Sequence, residues 1–433
     1  MQDRNKVSET QSKFRQGESM RALVLMVFLQ WFVVCQSCFG TDNKTAEVIH
    51  WWVSGSENQA LQEVAKAFEA EGFKWSETPV KASYQAKSVA ITRMLDGVPP
   101  TMVQWHAGVA LEELYEEGLI RSLAELAQTE RWRSVIPAVL WDKLSYDGTL
   151  LAVPLTLHGS NWMWGNRQVL DDLDLSFPQT WEALISMAPK IREAGVIPLA
   201  VGGQAWQVRL LFNNYLLGVG GPDLYRSVIV EQDPAVIESP AMVSIFNGFR
   251  MLKKLIDPYS PDRGWPETTA LVIEGKAAFQ IMGDWARGEF LQAGKVAGDD
   301  FVCGFSPQTQ DSYLVVSDVF VAPVVSDGSE EQQIQDRLAR VIMNPEVQRK
   351  FNIIKGSIPP RTDVSTEGFD LCAKSAIQSL TEGSEVIPGF SMSVKGITAN
   401  TIMDTIFTFW NNETVSAEQS VRMLADSIRK IRE

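Results

Sequence analysis

Four short turns carry the side chains whose types and spacing could do chemistry. Each turn lies at the end of a predicted strand and combines an indole with polar groups; they are found at 51–57, 104–106, 202–206 and 283–285. The face of an indole suits the C–H face of a sugar ring, and a carboxylate accepts two hydroxyl protons. The pattern therefore indicates a site for a small polyhydroxylated ring.

The first turn places Trp51, Trp52 and Glu57 between a short strand and an amphipathic helical run. In an open α/β sheet such turns lie at the carboxyl ends of the strands, where ligands bind. Ser56 is predicted to cap the helix, because its hydroxyl oxygen can accept an orphan backbone N–H. The competing interpretation of this turn is a core tryptophan beside a solvated glutamate.

Two further turns offer groups that suit hydroxyls. Gln104 and His106 are two residues apart on a predicted strand, so their side chains point the same way, and both can donate and accept hydrogen bonds. The alternative for His106 is a histidine whose hydrogen bonds are satisfied inside the fold. Asp284 lies beside an indole at the end of another strand, and its alternative role is an N-cap for a helix over 286–291.

The turn at 202–206 ends in Trp206 and is rich in glycine, which could suggest a phosphate cradle. A nucleotide site is rejected, because neither a Walker-type Lys-Ser/Thr pair nor a GxGxxG motif accompanies the glycines. Outside the first 40 residues the cysteines are Cys303 and Cys372, which lack the local pattern of a metal site or a catalytic thiol. Their spacing leaves open whether they pair.

Size, composition and charge narrow the function classes. The 433 residues suffice for two or three domains, and a hydrophobic fraction of 45% fits a globular protein. The formal net charge of −14 makes nucleic acid and anionic membrane surfaces poor partners, because both repel an acidic chain. The 14 Trp against 7 Tyr favour a ligand made of stackable rings.

A signal peptide is predicted over residues 1–40. A basic residue precedes an apolar run that is too short for a transmembrane helix, and cleavage is expected after Gly40. Either Met20 is the true start or the leader is unusually extended. A lipid anchor on Cys35 or Cys38 ranks second, because the usual small residue is missing before Cys35.

Strands and helices alternate along the chain and predict an α/β fold with parallel βαβ units. Strands are predicted over 48–50, 81–84, 101–108, 149–154, 197–201, 301–307 and 314–323. Helices are predicted over 89–95, 209–217, 240–255 and 330–355, the last broken at 344–345.

With these residues in hand, the chain resembles the periplasmic solute-binding proteins of ABC sugar importers, and specifically the glucose/mannose-binding branch. The matching stretches are 51–57, 104–108, 153–164, 202–207 and 283–289. The resemblance implies a two-lobed periplasmic-binding-protein fold with a ligand cleft between the lobes and three hinge crossings, near Pro154, 306–311 and 356–361. Lobe 1 is expected over 41–154 plus about 308–356, and lobe 2 over about 155–307 plus 357–433.

The resemblance also implies a function. The chain is expected to be a periplasmic receptor that binds a monosaccharide, glucose or a similar hexose, and delivers it to an ABC permease in the inner membrane. Neither a cofactor nor a metal is expected, and the receptor is expected to be a monomer. The ligand-binding residues carried over are Trp51, Trp52, Glu57, Gln104, His106, His158, Trp206, Asp284 and Asp318.

The sequence departs from that family's pattern at two cleft positions. Ala322 and Pro323 stand where a late lysine is expected after the strand of Asp318, and the segment 390–392 lacks an expected late histidine. The hexose cleft survives these departures, but the identity of the sugar does not follow from the sequence.

Two other hypotheses remain. A secreted glycoside hydrolase could use Glu57 and Asp284 as its paired carboxylates, although nothing in the sequence marks either as a proton donor. A partner of a membrane sensor, which presents bound sugar, would share the fold and cannot be separated from a transport receptor by sequence.

Overall fold

The structure of the protein is a computed structural model that describes residues 44–381 and 383–433. The predicted signal peptide over 1–40, the start at Met20 and the lipid anchor on Cys35 or Cys38 all fall outside the described residues. Within them, no helix is long and apolar enough to cross a membrane.

Strands and helices alternate through the described chain, and the predicted α/β fold class is confirmed. In chain order the strands are β1 (Thr45–His50), β2 (Lys74–Pro79), β3 (Met102–His106), β4 (Ser145–Tyr146), β5 (Thr149–Leu150), β6 (Ala152–Pro154), β7 (His158–Gly159), β8 (Trp162–Asn166), β9 (Ile197–Ala200), β10 (Ala277–Ile281), β11 (Phe301–Phe305), β12 (Ser312–Val316), β13 (Asp318–Val321) and β14 (Glu385–Pro388).

The helices enclose these strands. They are α1 (Gly55–Ala70), α2 (Ser83–Leu95), α3 (Ala110–Glu116), α4 (Ala124–Thr129), α5 (Ala138–Leu144), α6 (Arg167–Asp172), α7 (Trp181–Glu193), α8 (Ala205–Tyr225), α9 (Pro234–Ile237), α10 (Pro240–Met251), α11 (Trp265–Ile273), α12 (Ala286–Gln292), α13 (Glu330–Ile342), α14 (Pro345–Lys355), α15 (Leu371–Thr381), α16 (Phe390–Ser393), α17 (Gly396–Asn411) and α18 (Ala417–Arg432).

A five-stranded sheet in the order β2-β1-β3-β13-β6 forms the first lobe. β1 runs parallel to β3, whereas β13 is antiparallel to β3, with Asp318 opposite His106. The carboxyl ends of β1 and β3 and the amino end of β13 therefore meet at one edge of the sheet. Helices α1, α13 and α14 pack together beside this sheet and complete its apolar core.

A four-stranded sheet in the order β11-β8-β10-β9 forms the second lobe. Because neighbouring side chains on a strand face opposite sides, Trp162 and Trp164 of β8 join one buried apolar cluster, whereas Met163 between them joins the other. β9 and β10 are parallel, so the turns that follow them open at one edge. Helices α8, α10, α17 and α18 pack together in this lobe.

Three connections join the two sheets, as predicted. Leu157 and Ile358 exchange backbone hydrogen bonds of 2.8 and 3.0 Å, which tie the first connection to the third. In the second, β12 pairs with β7 and β14, whereas β13 pairs with β3, so the chain changes sheets at Ser317 rather than near 306–311. The hydroxyl of Ser317 donates to the carbonyl oxygen of Thr156 at 2.7 Å, which binds the second connection to the first.

The strand predicted over 81–84 is wrong. Helix α2 begins at Ser83, and Tyr84, which would have faced a sheet, is 66% exposed. The second strand instead lies at Lys74–Pro79, where several polar residues obscure the alternation of apolar and polar positions that is typical of a strand. The helix predicted over 330–355 does break at 344–345, because Asn344 caps α14 and Pro345 begins it.

The two cysteines whose pairing the sequence left open form a disulfide. Cys303 of β11 is bonded to Cys372 of α15, across a sequence separation of 69. The bond therefore ties the segment that follows the third connection to the second sheet.

Candidate ligand site

The first turn is organised as the start of a helix. Ser54 is the N-cap of α1, and its hydroxyl accepts the backbone N–H of Glu57 at 3.3 Å. In return the Glu57 carboxylate accepts the N–H groups of Ser54 and Val53 at 3.1 and 3.2 Å, which completes a capping box. The prediction that Ser56 caps this helix is wrong, because its hydroxyl donates to Glu289 of α12 at 2.6 Å.

The side chains of Trp52 and Glu57 have their contacts inside the protein. The second carboxylate oxygen of Glu57 lies 3.2 Å from the ammonium of Lys355, at the end of α14. Trp52 is only 1% exposed, and its ring packs 5.8 Å from Phe320 and 5.1 Å from Phe351. The structure thus places both side chains where they support the turn.

Trp51 faces the neighbouring strand instead. Its backbone N–H donates to the side-chain oxygen of Gln104 at 2.9 Å, and its ring lies 4.9 Å from that of His106. The fully buried amide nitrogen of Gln104 has no hydrogen-bond partner among the described residues. The ammonium of Lys87 reaches His106 Nδ1 at 3.1 Å and lies over the Trp51 ring.

A row of alternating carboxylates and imidazoles crosses the junction of the two sheets. Asp318 lies between two rings, 3.5 Å from His106 Nε2 and 3.4 Å from His158 Nε2. His158 Nδ1 lies 2.5 Å from Asp284, whose other oxygen accepts the N–H of Gly159 at 2.9 Å. The row joins the end of β3, the start of β13, the first connection and the turn after β10.

The electrostatics of this row differ from one end to the other. Burial alone lowers the pKa of His158, but the carboxylates of Asp284 and Asp318 outweigh burial and raise that pKa above its ordinary value. Burial, helped by the ammonium of Lys87, lowers the pKa of His106 to about 3, so this ring is neutral at pH 7. Burial raises the pKa of Asp318, but the hydrogen bond from His158 and nearby positive charges reverse this and lower it.

Indoles from the second lobe stand beside the row. Trp285 meets His158 edge-on, with ring centres 5.3 Å apart, and Trp206 lies 6.3 Å from Trp285. A side chain at Gly283 would come within 2.1 Å of the Trp285 ring, so only glycine permits this approach. Trp206 lies in the first turn of α8 rather than in the predicted loop.

Asp284 makes no side-chain cap to the following helix. Helix α12 begins at Ala286, and its capping position, Trp285, has no side-chain hydrogen bond. Instead, the Asp284 carboxylate binds the imidazole of His158 and a backbone N–H, as described above. The alternative interpretation of Asp284 as an N-cap is therefore wrong.

The structure brings together most of the residues singled out from the sequence. Trp51, Gln104 and His106 come from the first sheet, Asp318 and His158 from the junction, and Asp284 and Trp206 from the second lobe. Trp52 and Glu57 belong to the same turn as Trp51, but their side chains point into the fold. Across the described ranges no group of acidic, histidine or cysteine side chains could hold a metal ion.

Two cations of the site were missed. Lys87 lies on α2, where the sequence pattern predicts a strand over 81–84 and a helix only from 89, so that pattern offers no helix face on which to place it. Arg209 follows Trp206 by three residues on α8 and stacks on Phe390, with its guanidinium 4.2 Å from the ring centre. Three-residue spacing on a helix gives a common face, and that spacing could have identified Arg209.

Comparison with known proteins adds three findings. Residues 54–322 match the bacterial extracellular solute-binding protein family. Over 389 residues, the chain is 37% identical to a probable sugar-binding periplasmic protein of Rhizobium meliloti, with 88% of this chain and 93% of that one covered. A solved structure of the solute receptor AcbH, described as preferring β-D-galactopyranose, superposes with a TM-score of 0.78 at 17% identity and covers 90% of this chain and 99% of its own.

A more distant relative bears on the expected branch. The glucose-binding protein GlcS of Saccharolobus solfataricus is 25% identical over 312 residues, which cover 65% of this chain and 55% of that protein. This match is too partial to place the chain in the glucose/mannose branch. The AcbH superposition, at its low identity, shows the fold alone.

Proposed function

The chain belongs to the bacterial extracellular solute-binding proteins, and from that premise we propose that it is the sugar receptor of an ABC importer. Its ligand is one monosaccharide, glucose or a similar hexose, held between the two lobes. The observation that carries this proposal is the row of Asp284, His158, Asp318 and His106, with indoles on both sides of it. Carboxylates and imidazoles bind hydroxyls, and indole faces bind the C–H faces of a ring.

The two lobes divide the binding work. Trp51, Gln104 and His106 contribute from lobe 1, and Trp206 and Asp284 from lobe 2. Trp52 and Glu57 hold the first turn in place rather than contact the sugar, since one is buried and the other binds Lys355. We assign lobe 1 to 44–154 and 317–356 and lobe 2 to 155–316 and 357–433. The second boundary stands at Ser317 rather than near 308, because the strand pairing changes there.

Closure of the lobes around the ligand is the proposed signal to the permease. The three connections lie side by side and are hydrogen-bonded to one another, which suits rotation about one line. Closure excludes water and so strengthens each hydroxyl–carboxylate bond. The sugar stabilises the closed form only by its differential affinity for the two forms. A periplasmic location, an inner-membrane permease and a monomeric state complete the proposal.

A binding protein accounts for this chain better than an enzyme does. Its family and its relatives are binding proteins. The carboxylates that a glycoside hydrolase would need are both engaged, Glu57 with Lys355 and Asp284 with His158. Neither stands free to protonate a leaving group, so the receptor accounts for the arrangement better.

Thermal unfolding tests the proposal. Residues 41–433 are heated with monosaccharides, disaccharides and amino acids, and the receptor predicts a higher midpoint with a monosaccharide only. At 100 times the dissociation constant the ligand adds about 2.7 kcal/mol, a rise of roughly 3 °C for a chain of this length. Trp206→Ala should abolish the rise, whereas Trp141→Ala, a half-buried indole outside the site, should keep it. A rise with amino acids alone would overturn the proposal.

A further inference from the structure

Arg209 is a half-buried cation with an unusual lack of partners within the protein. Within the described residues it makes no hydrogen bond and no ion pair, and its one close contact is the stacking on Phe390 at 4.2 Å. Burial lowers the pKa of Arg209 to about 10, so the guanidinium still carries its charge at pH 7. Partial removal of a charge from water costs free energy, and no partner in the described chain offsets that cost, which makes a structural role a poor explanation.

Other arginines in the chain show what a structural role looks like. Arg250 also stacks on a phenylalanine, Phe409, at 3.6 Å, but its guanidinium donates to three backbone carbonyl oxygens as well. Arg287 is 2% exposed and donates to two backbone carbonyls and to Asp370. Against the part of the chain that the structure describes, Arg209 has the ring contact alone, so its five N–H donors remain available to a ligand.

The position of Arg209 is at the meeting of the lobes. It shares a helix face with Trp206, and its charge contributes to the low pKa of His106 in the opposite lobe. Phe390, on which it stacks, begins the short helix α16. That helix touches lobe 1, where the N–H of Val109 donates to the carbonyl oxygen of Met392 at 3.2 Å.

The site holds hydrogen-bond donors that no acceptor of the described chain occupies. The carboxylate oxygens of Asp284 are taken by His158 and a backbone N–H, and Asp318 lies between two imidazoles. By contrast, Lys87 has no carboxylate of the described residues within ion-pair distance, and its one polar contact among them is His106. The amide nitrogen of Gln104 is buried and unpartnered. Each hydroxyl of a neutral hexose carries a donor as well as acceptors, whereas a carboxylate brings acceptors only, together with a negative charge.

We propose that the monosaccharide bound by this cleft is a sugar acid, a hexuronate or an aldonate, whose carboxylate is held by Arg209 with Lys87 as the second positive charge. This inference rests on the proposed function and names the class of its ligand. A planar guanidinium matches a carboxylate with two parallel hydrogen bonds, and the aromatic face of Phe390 fixes the guanidinium plane. Local positive charge is needed here, because the chain as a whole is acidic, with a net charge of −14.

Isothermal titration of the mature chain tests the inference. The probes are D-glucuronate, D-galacturonate, D-gluconate, D-glucose, D-galactose and glucose 6-phosphate. A sugar acid should bind at least about 10-fold more tightly than the matching neutral hexose, the size expected for one hydrogen bond to a charged group. Arg209→Gln should erase that preference, and Arg209→Lys should keep part of it.

A matched control separates charge from folding. Arg133 is an exposed arginine that stacks on Trp141 at 5.0 Å away from the site, and Arg133→Gln should leave the preference intact. Lys87→Gln should lower the affinity for the sugar acid by a smaller factor than Arg209→Gln does, because Lys87 already contacts His106. Unfolding midpoints of the free variants check that each one folds.

The outcomes distinguish the two proposals. Tighter binding of a neutral hexose, or of glucose 6-phosphate, than of every sugar acid would overturn the sugar-acid inference while the receptor stands. Equal affinities of the wild type and Arg209→Gln for every sugar acid would also overturn the sugar-acid inference. If no monosaccharide binds, neutral or charged, the proposed function itself fails.

Discussion

The turns after β1 and β10 are built from the same residue types and do different work. Each combines a carboxylate with an indole in the segment that follows a strand. In the first, Glu57 completes a capping box and binds Lys355, and Trp52 is buried at 1% exposure. In the second, Asp284 binds His158 at the junction of the lobes, and Trp285 stands edge-on to that ring.

The difference comes from what each turn meets. Helix α1 begins directly after the first turn, so the Glu57 carboxylate accepts backbone N–H groups at the start of that helix. The buried ammonium of Lys355, at the end of α14, binds the same carboxylate. The second turn meets the first connection between the lobes, where the imidazole of His158 is already placed against Asp318. A strand-end motif therefore identifies where a site can form, and long-range partners decide which of its side chains remain available to a ligand.

Removal of the buried indole should give the largest effect. Trp52→Ala is expected to lower the free energy of unfolding by about 3–5 kcal/mol, because a fully buried ring leaves a cavity in the first lobe. Trp206→Ala, at a half-buried ring, should cost less than about 2 kcal/mol. Urea unfolding without ligand measures both. Similar losses in the two variants would contradict the division between a core indole and a ligand-facing one.

The Glu57–Lys355 pair offers the next test. Lys355→Met should cost about 3 kcal/mol, because it leaves a buried carboxylate without its cation. The double variant Glu57→Gln with Lys355→Met should be less destabilised than the sum of the two single variants, which a double-mutant cycle by urea unfolding detects. Additive losses would mean that the two side chains do not act together.

The response to pH should be smaller and of defined sign. The pKa of His106 is lowered to about 3 and that of His50 to about 4, both mainly by burial. Below pH 6.5 these two imidazoles bind protons in the unfolded chain but stay neutral in the folded chain. Each histidine should therefore lower the free energy of unfolding by about 2 kcal/mol between pH 6.5 and pH 5. Asp318 does not contribute to the loss of stability in this pH range. The stabilisation from its ionised carboxylate is lost only as the pH falls below about 3.8 and through the lowered pKa of the folded state.

Variants separate these histidines. His106→Gln should reduce the loss of stability at pH 5 relative to pH 7, measured by urea midpoints. His158→Gln should increase that loss, because the raised pKa of His158 contributes stability that is fully present below pH 6.5 and is lost as the pH rises through its folded pKa. The same sign of change in both variants would contradict the assigned protonation states.

Much of the fold and part of the site could be predicted from the sequence. Alternating strands and helices gave the α/β class, and local pattern placed Gln104, His106 and Asp284 at strand ends. The remaining features depend on contacts between distant residues. His158 and Asp284 are separated by 126 positions, and the disulfide depends on the fold bringing its cysteines together. Lys87 was missed because one wrong strand hid the helix that carries it.

The most direct test compares the two carboxylates in ligand binding. For whichever monosaccharide binds the mature chain, isothermal titration of Asp284→Asn and Glu57→Gln measures what each turn contributes. We expect Asp284→Asn to lose at least roughly 30-fold in affinity, about 2 kcal/mol, and Glu57→Gln to lose less than about 5-fold. Loss of binding in a folded Glu57→Gln variant, with normal affinity in Asp284→Asn, would contradict it.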